Sequence, residues 1–295
     1  MTAMNRRTLV TLAGGASAAL LLPRLGPAVL AHQVDLASLG YPALDVTVNP
    51  DAYEGIPETL EAGRYLVTAN VSADIEGGSG VAFLQPRGMT AEEFLTTLGG
   101  GSEDEAVPAF VYQATFAGGA SGLAGGTGSA VIDLTEGEWI AWGDDPEAPQ
   151  APVIFTVTGE FPADVAEPEA DITFTLVDFG IMVEGNLTAG EHIVKIDNQG
   201  AQPHFVDLSM VPEGTTDEDI AALLNADMTG TPVTDGLGED DFQWVTYTPT
   251  QSIDVQVWTT LTLEAGTYNA ACWFPTAGVG DPHAFHGMHT VFEVS

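Results

Sequence analysis

The feature that most limits what this chain can become is an internal repeat. Ala62-Gly63-Arg64-Tyr65-Leu66-Val67 returns as Ala189-Gly190-Glu191-His192-Ile193-Val194, and Leu134-Thr135-Glu136-Gly137-Glu138-Trp139 returns as Leu263-Glu264-Ala265-Gly266-Thr267-Tyr268. Between them Pro86-Arg87-Gly88 returns as Pro212-Glu213-Gly214. The offsets are 127, 126 and 129 residues, near enough to constant that one structural unit must be built twice. Residues 67–71, 153–157, 172–176 and 193–196 are short β-branched or alternating runs bounded by turn residues, which is the pattern of strands. Thr90 and Thr216 each stand three residues before an acid and ahead of an apolar run, the start pattern of one short helix per half. Many short strands with Gly and Pro turns predict an all-β protein of two tandem β-sandwich domains, each with one short helix. The expected boundaries are residues 32–160 and 171–295, with the Pro- and acid-rich residues 161–170 as a linker.

Charge narrows the function. The chain has 42 acids and 6 bases among 295 residues, a formal charge of −36. Three of the bases, Arg6, Arg7 and Arg24, precede the first acid, Asp35. Such a surface repels phosphate backbones, which argues against nucleic-acid binding, and it disfavours docking on anionic membranes. With 45% hydrophobic residues, 5 Trp and 13 Phe, the chain can nonetheless fill real cores. Arg6-Arg7 followed by an apolar, small-residue run, with Val29-Leu30-Ala31 as a cleavage site, reads as a twin-arginine signal peptide over residues 1–31. The expectation is export to the periplasm, cell surface or medium, with no stable membrane span after cleavage.

Five of the six His and the single Cys lie in the second half. His204 follows a turn after a strand, Cys272 ends the strand begun by Gly266-Thr267-Tyr268, and Pro282-His283-Ala284-Phe285-His286-Gly287-Met288 leads into the last strand. Two imidazoles and a thiolate in a plane, with a thioether weakly on the axis, form the ligand set of a mononuclear blue-copper centre. A lone thiol in an oxidising compartment is otherwise a liability, although a buried structural Cys is the common alternative.

Asn198-x-Gly200-x-x-Pro203-His204, Gly266-Thr267-Tyr268-x-x-x-Cys272 and Pro282-His283-x-x-x-Gly287-Met288 together resemble the cupredoxins, above all plastocyanin-like domains. The resemblance spans the second half and implies a Greek-key sandwich holding one copper ion. His204, Cys272 and His283 are then the strong ligands and Met288 the axial one. It implies electron transfer to a redox partner, and the acidic surface favours a partner with a basic docking face. Two departures stand out. The segment between Cys272 and His283 is longer than in the family, which predicts loosely specified geometry, and Phe205 replaces the Asn that ties the ligand loops together. The first half aligns Gly78 with His204 and Gly143 with Cys272, so it resembles a cupredoxin-like domain without metal ligands.

The other histidines read more blandly. His286 and His289 are spare ligands or simply part of a His-rich loop, His192 sits at the rim of a core, and His32 would be the first mature residue. Cys272 is flanked by Ala271 and Trp273 and lacks the neighbouring His of multicopper oxidases, and hydrolase motifs are missing. The reading is therefore a carrier rather than an enzyme. The alternatives are a copper-handling module without electron transfer, or a metal-free extracellular interaction protein.

Overall fold

The computed structural model describes residues 36–99, 107–144, 150–231 and 236–295. The signal segment expected at residues 1–31, and His32, lie outside the described residues. The first half runs β1 (Ala43–Val48), β2 (Tyr53–Glu54), β3 (Thr59–Glu61), β4 (Gly63–Val71), β5 (Gly78–Gln85), α1 (Ala91–Gly99), β6 (Thr115–Leu123), β7 (Thr127–Leu134), β8 (Gly137–Trp142) and β9 (Val153–Thr158). The second runs β10 (Ile172–Val177), β11 (Gly180–Gly185), β12 (Gly190–Asn198), β13 (Asp207–Val211), α2 (Asp217–Thr229), β14 (Gln243–Tyr247), β15 (Gln256–Leu263), β16 (Gly266–Ala271) and β17 (His289–Val294). Both helices open on the expected reciprocal caps. Thr216 and Asp219 exchange bonds with each other's backbone, and so do Thr90 and Glu93.

The repeat is visible in the pairing. β1 lies parallel to β4 and β4 antiparallel to β7, as β10 lies parallel to β12 and β12 antiparallel to β15. What the sequence did not foretell is that these two sheets are one. β7 pairs with β15 through Val131↔Trp258 and Ala130↔Thr259, giving an eight-stranded sheet in the order β11-β10-β12-β15-β7-β4-β1-β2. β7 and β15 are equivalent strands meeting antiparallel, so a local two-fold relates the halves. Each half then closes its sandwich with its own second sheet, β3-β9-β8-β5-β6 or β14-β13-β16-β17. The register of β5 on β8 (Ala82↔Trp142) and of β13 on β16 (Asp207↔Ala271) sets Ser79 in the place of His204. That is one residue from the Gly78 of the sequence alignment, and it is still no ligand.

Scarce cations hold the shared sheet. Trp258 is fully buried at the junction, with the Arg64 guanidinium 4.7 Å and the Lys195 ammonium 5.3 Å from its ring centre. Arg64 also donates two bonds to Asp133, at 2.7 and 2.8 Å, and one to the Ala166 carbonyl at 2.9 Å. Residues 161–170 are therefore pinned across the junction, with Tyr41 also donating to the Ala166 carbonyl.

The hydrophobic core of the first sandwich is built on Val46, Val67, Phe83, Ile132, Trp139 and Phe155, and takes only Val257 and its neighbour Val255 from the second half. The second is not self-contained. Phe174, Ile196, Leu208, Tyr268, Cys272 and Met288 belong to one cluster with Leu84, Phe94, Phe116 and Ile140 of the first half. Residues on β5 and β8 alternate between the two clusters, as the period of a strand requires.

Candidate metal centre

Three elements deliver the centre. His204 follows the turn after β12 and is held on both sides of its peptide by Gln251, with N–H···O distances of 2.9 and 2.8 Å. Cys272 is the first residue past β16, and its N–H donates to the Met288 carbonyl at 3.0 Å. His283 opens a short 3-10 turn, His283–His286, whose carbonyl accepts from the Met288 N–H at 3.1 Å. The structure brings His204, Cys272 and His283 together, all three fully buried, with one donor atom of each within 4.8 Å of the others. Met288 is also fully buried and packs in the same cluster as Cys272.

The distances define a site. His204 Nδ1 and His283 Nδ1 are 3.0 Å apart, and Cys272 Sγ is 3.8 Å from the first and 3.5 Å from the second. A point equidistant from the three atoms lies about 2.0 Å from each, which is the length of an ordinary metal–nitrogen bond and slightly short for metal–sulfur.

The outer contacts decide the proton positions. His204 Nε2 lies 3.0 Å from Asp178 Oδ1, an acceptor, so Nε2 carries the hydrogen. Gln202 Oε1 accepts from the Ala277 N–H at 2.7 Å, which fixes that atom as oxygen, and His283 Nε2 donates to it at 3.4 Å. Both Nδ1 atoms are then unprotonated, and two lone pairs face each other and a sulfur, with the thiol proton alone for the three atoms to share. Burial disfavours the charged form of both imidazoles, pushing His204 below the usual histidine range and His283 down to about 3. A cation at the shared point satisfies all three donors at once. The residues fit a metal, and two imidazoles with one thiolate, with no fourth charged ligand among the described residues, fit copper better than tetrahedral zinc.

Burial pushes the Cys272 thiol up to about 12, against hydrogen bonds from the Phe205 and Phe274 backbones that favour its thiolate. Without a metal the sulfur keeps its proton. Phe205 thus contributes through its N–H, where the sequence reading saw only a missing Asn. The tie between ligand loops comes instead from Asn198, fully buried, which donates to the Gln202 and Gln251 carbonyls at 3.0 and 2.8 Å and accepts from the Gly200 N–H.

The segment between Cys272 and His283 corrects the expectation of loose geometry. It folds back as a hairpin, with Ala284 N–H on the Cys272 carbonyl at 2.8 Å, His283 N–H on Phe274 at 2.9 Å and a Pro275–Pro282 bridge. The first half braces it. Tyr112 donates to the Pro275 carbonyl at 3.1 Å, and the rings of Tyr112 and Phe116 meet Phe274 edge-on at 5.8 and 6.0 Å. Ala117 and His204 both bridge to Gln251, so one short strand segment links β6 directly to a ligand. Asp178, Gln202 and the Tyr112–Phe116 brace escaped the sequence reading, because nothing in their own neighbourhoods marks them.

The remaining histidines stand apart. His192 is buried at the edge of β12, bonded to the Thr188 carbonyl at 2.7 Å. His286 is exposed and packs on Phe179, while His289 Nδ1 lies 3.7 Å from Asp217. Neither joins the cluster.

No protein-family model matches this chain, and no curated protein does. Solved structures do show similarity. A reduced auracyanin from Roseiflexus castenholzii is 19% identical over 42% of this chain and 94% of its own, with a TM-score of 0.26. Auracyanin A from Chloroflexus aurantiacus, a "blue" copper protein, is 21% identical over 42% of this chain and 97% of its own, with a TM-score of 0.27. Copper nitrite reductase from Nitrosomonas europaea is 9% identical but covers 86% of this chain and 93% of its own, with a TM-score of 0.24. Likeness at this level leaves the weight on the strands and donor atoms themselves. They define a class, a mostly β protein of two fused sandwiches. It has one type 1 copper-like site, in the second half.

Proposed function

We propose that the protein is an exported one-electron carrier in which His204 Nδ1, His283 Nδ1 and Cys272 Sγ would hold copper and Met288 would add a weak thioether ligand. Copper would supply the electron storage, cycling between its two common oxidation states. The chain supplies the rest: Asn198 and Gln251 lock the ligand loops, the apolar cluster excludes water, and the Phe205 and Phe274 N–H groups favour the thiolate. The observation that carries the reading is the pair of Nδ1 atoms 3.0 Å apart beside a buried sulfur. A set held this rigidly changes little with oxidation state, which keeps the barrier to electron transfer low.

The His283 ring is fully buried and meets Phe179 edge-on at 5.6 Å, and Phe179 itself is 37% exposed. We take Phe179 and the neighbouring exposed His286 as the rim through which an electron leaves. An excess of 42 acids over 6 bases supports a partner with a basic docking face, with association slowed by salt. Export through a twin-arginine signal rests on Arg6-Arg7 and the run that follows them.

The test is an optical titration of the purified protein with Cu(II), with Cys272→Ser alongside. An intense visible band complete at one equivalent, and missing from the variant, supports the carrier. Tight copper binding without the band turns the reading to copper handling, and no binding ends both.

A further inference from the structure

The β10–β11 turn reaches both imidazoles from outside. Asp178 Oδ1 accepts from His204 Nε2 at 3.0 Å, and the next residue, Phe179, lays its ring against His283. Phe179 does this at φ 64°, a left-handed conformation costly for a bulky side chain, so the turn is held against a local preference. The Gln202 N–H also donates to Asp178 Oδ1, at 3.2 Å, which anchors the carboxylate. Gly200 leaves the space for this contact: a Cβ there would stand 2.5 Å from His204 Nε2 and 2.7 Å from Asp178 Oδ1.

We propose that Asp178 is a positioning residue that aims His204 Nδ1 into the site and biases bound copper toward its oxidised state. The inference rests on the copper reading above. Two effects act in one direction. As an acceptor, the carboxylate fixes the tautomer with Nδ1 free and makes the imidazole a stronger donor, which the more highly charged ion needs more. As an anion about 7 Å from the shared point, it stabilises the state with one more positive charge. Reduction adds one electron to copper from an external one-electron donor, and Asp178 neither gains nor loses an atom.

The Asp178 side chain is 33% exposed, so solvent screens part of its charge. Removing it should shift the oxidised-to-reduced ratio at a fixed applied potential about tenfold toward the reduced form, within a range of about 3- to 50-fold. Tenfold is a rise of about 59 mV for one electron.

The experiment is redox titration of the copper-loaded full chain and of Asp178→Asn, Asp178→Glu and Gly200→Ala, with histidine NMR of the metal-free forms. The expected result is a raised potential in Asp178→Asn and Gly200→Ala, partial recovery in Asp178→Glu, and a His204 that leaves the Nε2–H tautomer in metal-free Asp178→Asn. A merely structural role would lower thermal stability without moving potential or tautomer. An unchanged potential in an Asp178→Asn protein that keeps its visible band overturns the proposal. Failure of the copper reading is seen separately, as no band in the unchanged protein. It removes the claim about potential, while the NMR still decides whether Asp178 sets the tautomer.

Discussion

Metal binding should release fewer protons at acid pH than an ordinary site of one Cys and two His, and the proton it always releases is that of Cys272. In the metal-free protein burial pushes the Cys272 thiol up to about 12, so it is protonated at any working pH and must give that proton up to a metal. The imidazoles behave in the opposite sense: His283 is held down to about 3 and His204 also lies below its usual range, so they arrive largely neutral. A site of one unperturbed Cys and two unperturbed His would release about 2.8 protons at about pH 5.5 and about 0.8 at about pH 8. This site should release fewer than two at the acid end, one of them from Cys272 and almost none from His283, and close to one at the alkaline end, with apparent affinity rising at least about tenfold per pH unit between them. Calorimetric titration with Cu(II) at each pH, in two buffers of different ionisation enthalpy, counts the protons directly. Release of two or more at the acid end would mean protonated imidazoles in the metal-free site. That would refute the assignment of facing lone pairs on which the copper reading depends.

Four further outcomes follow from the same contacts. Metal-free protein should lose stability as pH falls from about 6.5 toward about 3, because the unfolded chain takes a proton on His283 that the folded chain refuses; the loss from that group is on the order of 4 kcal/mol, read by denaturant melts at stepped pH. Phe116→Ala should cost about 3–5 kcal/mol and broaden the copper spectrum, since its ring packs between the halves against Phe274; a variant that loses stability with an unchanged spectrum would deny the brace. Asn198→Ala removes three buried bonds and should cost about 2–4 kcal/mol while speeding copper loss to a chelator. Arg64→Met should cost about 1–3 kcal/mol in thermal melts and loosen residues 161–170 to proteolysis, through the lost Asp133 and Ala166 bonds.

Much of this was legible because it is local. The repeat offsets, the strand runs and the capping residues Thr90 and Thr216 are written in short windows, and each appears where expected. The donors were legible as a set, since His204, Cys272 and His283 are chemically distinctive and the structure gathers them. What stayed hidden depends on pairings between distant residues of ordinary type. Asp178 is one acid among 42, and only the fold sets it against His204. Likewise nothing in the sequence near Val131 or Trp258 announces that these strands join two sheets into one. The length of the Cys272–His283 segment misled for a related reason. A long segment specifies little by itself, but this one is a hairpin with paired prolines and a neighbour to lean on.

That neighbour gives the first half a physical role. A site formed by residues from β12, β16 and a hairpin needs its loops fixed from both sides, because an ångström of freedom in a donor changes both affinity and electron-transfer barrier. In the second half alone, the far side of Phe274 and of the Gln251 segment would be open to water. The first half fills it with Phe116, Tyr112 and a strand segment bridging to Gln251, and Asp144 accepts from the Thr250 N–H at 2.6 Å and from its hydroxyl at 2.8 Å. The packing surface of the first half thus carries part of the rigidity of the site. On this reasoning the halves are one cooperative unit, since a shared sheet and a shared core leave no boundary at which one could melt without exposing the other.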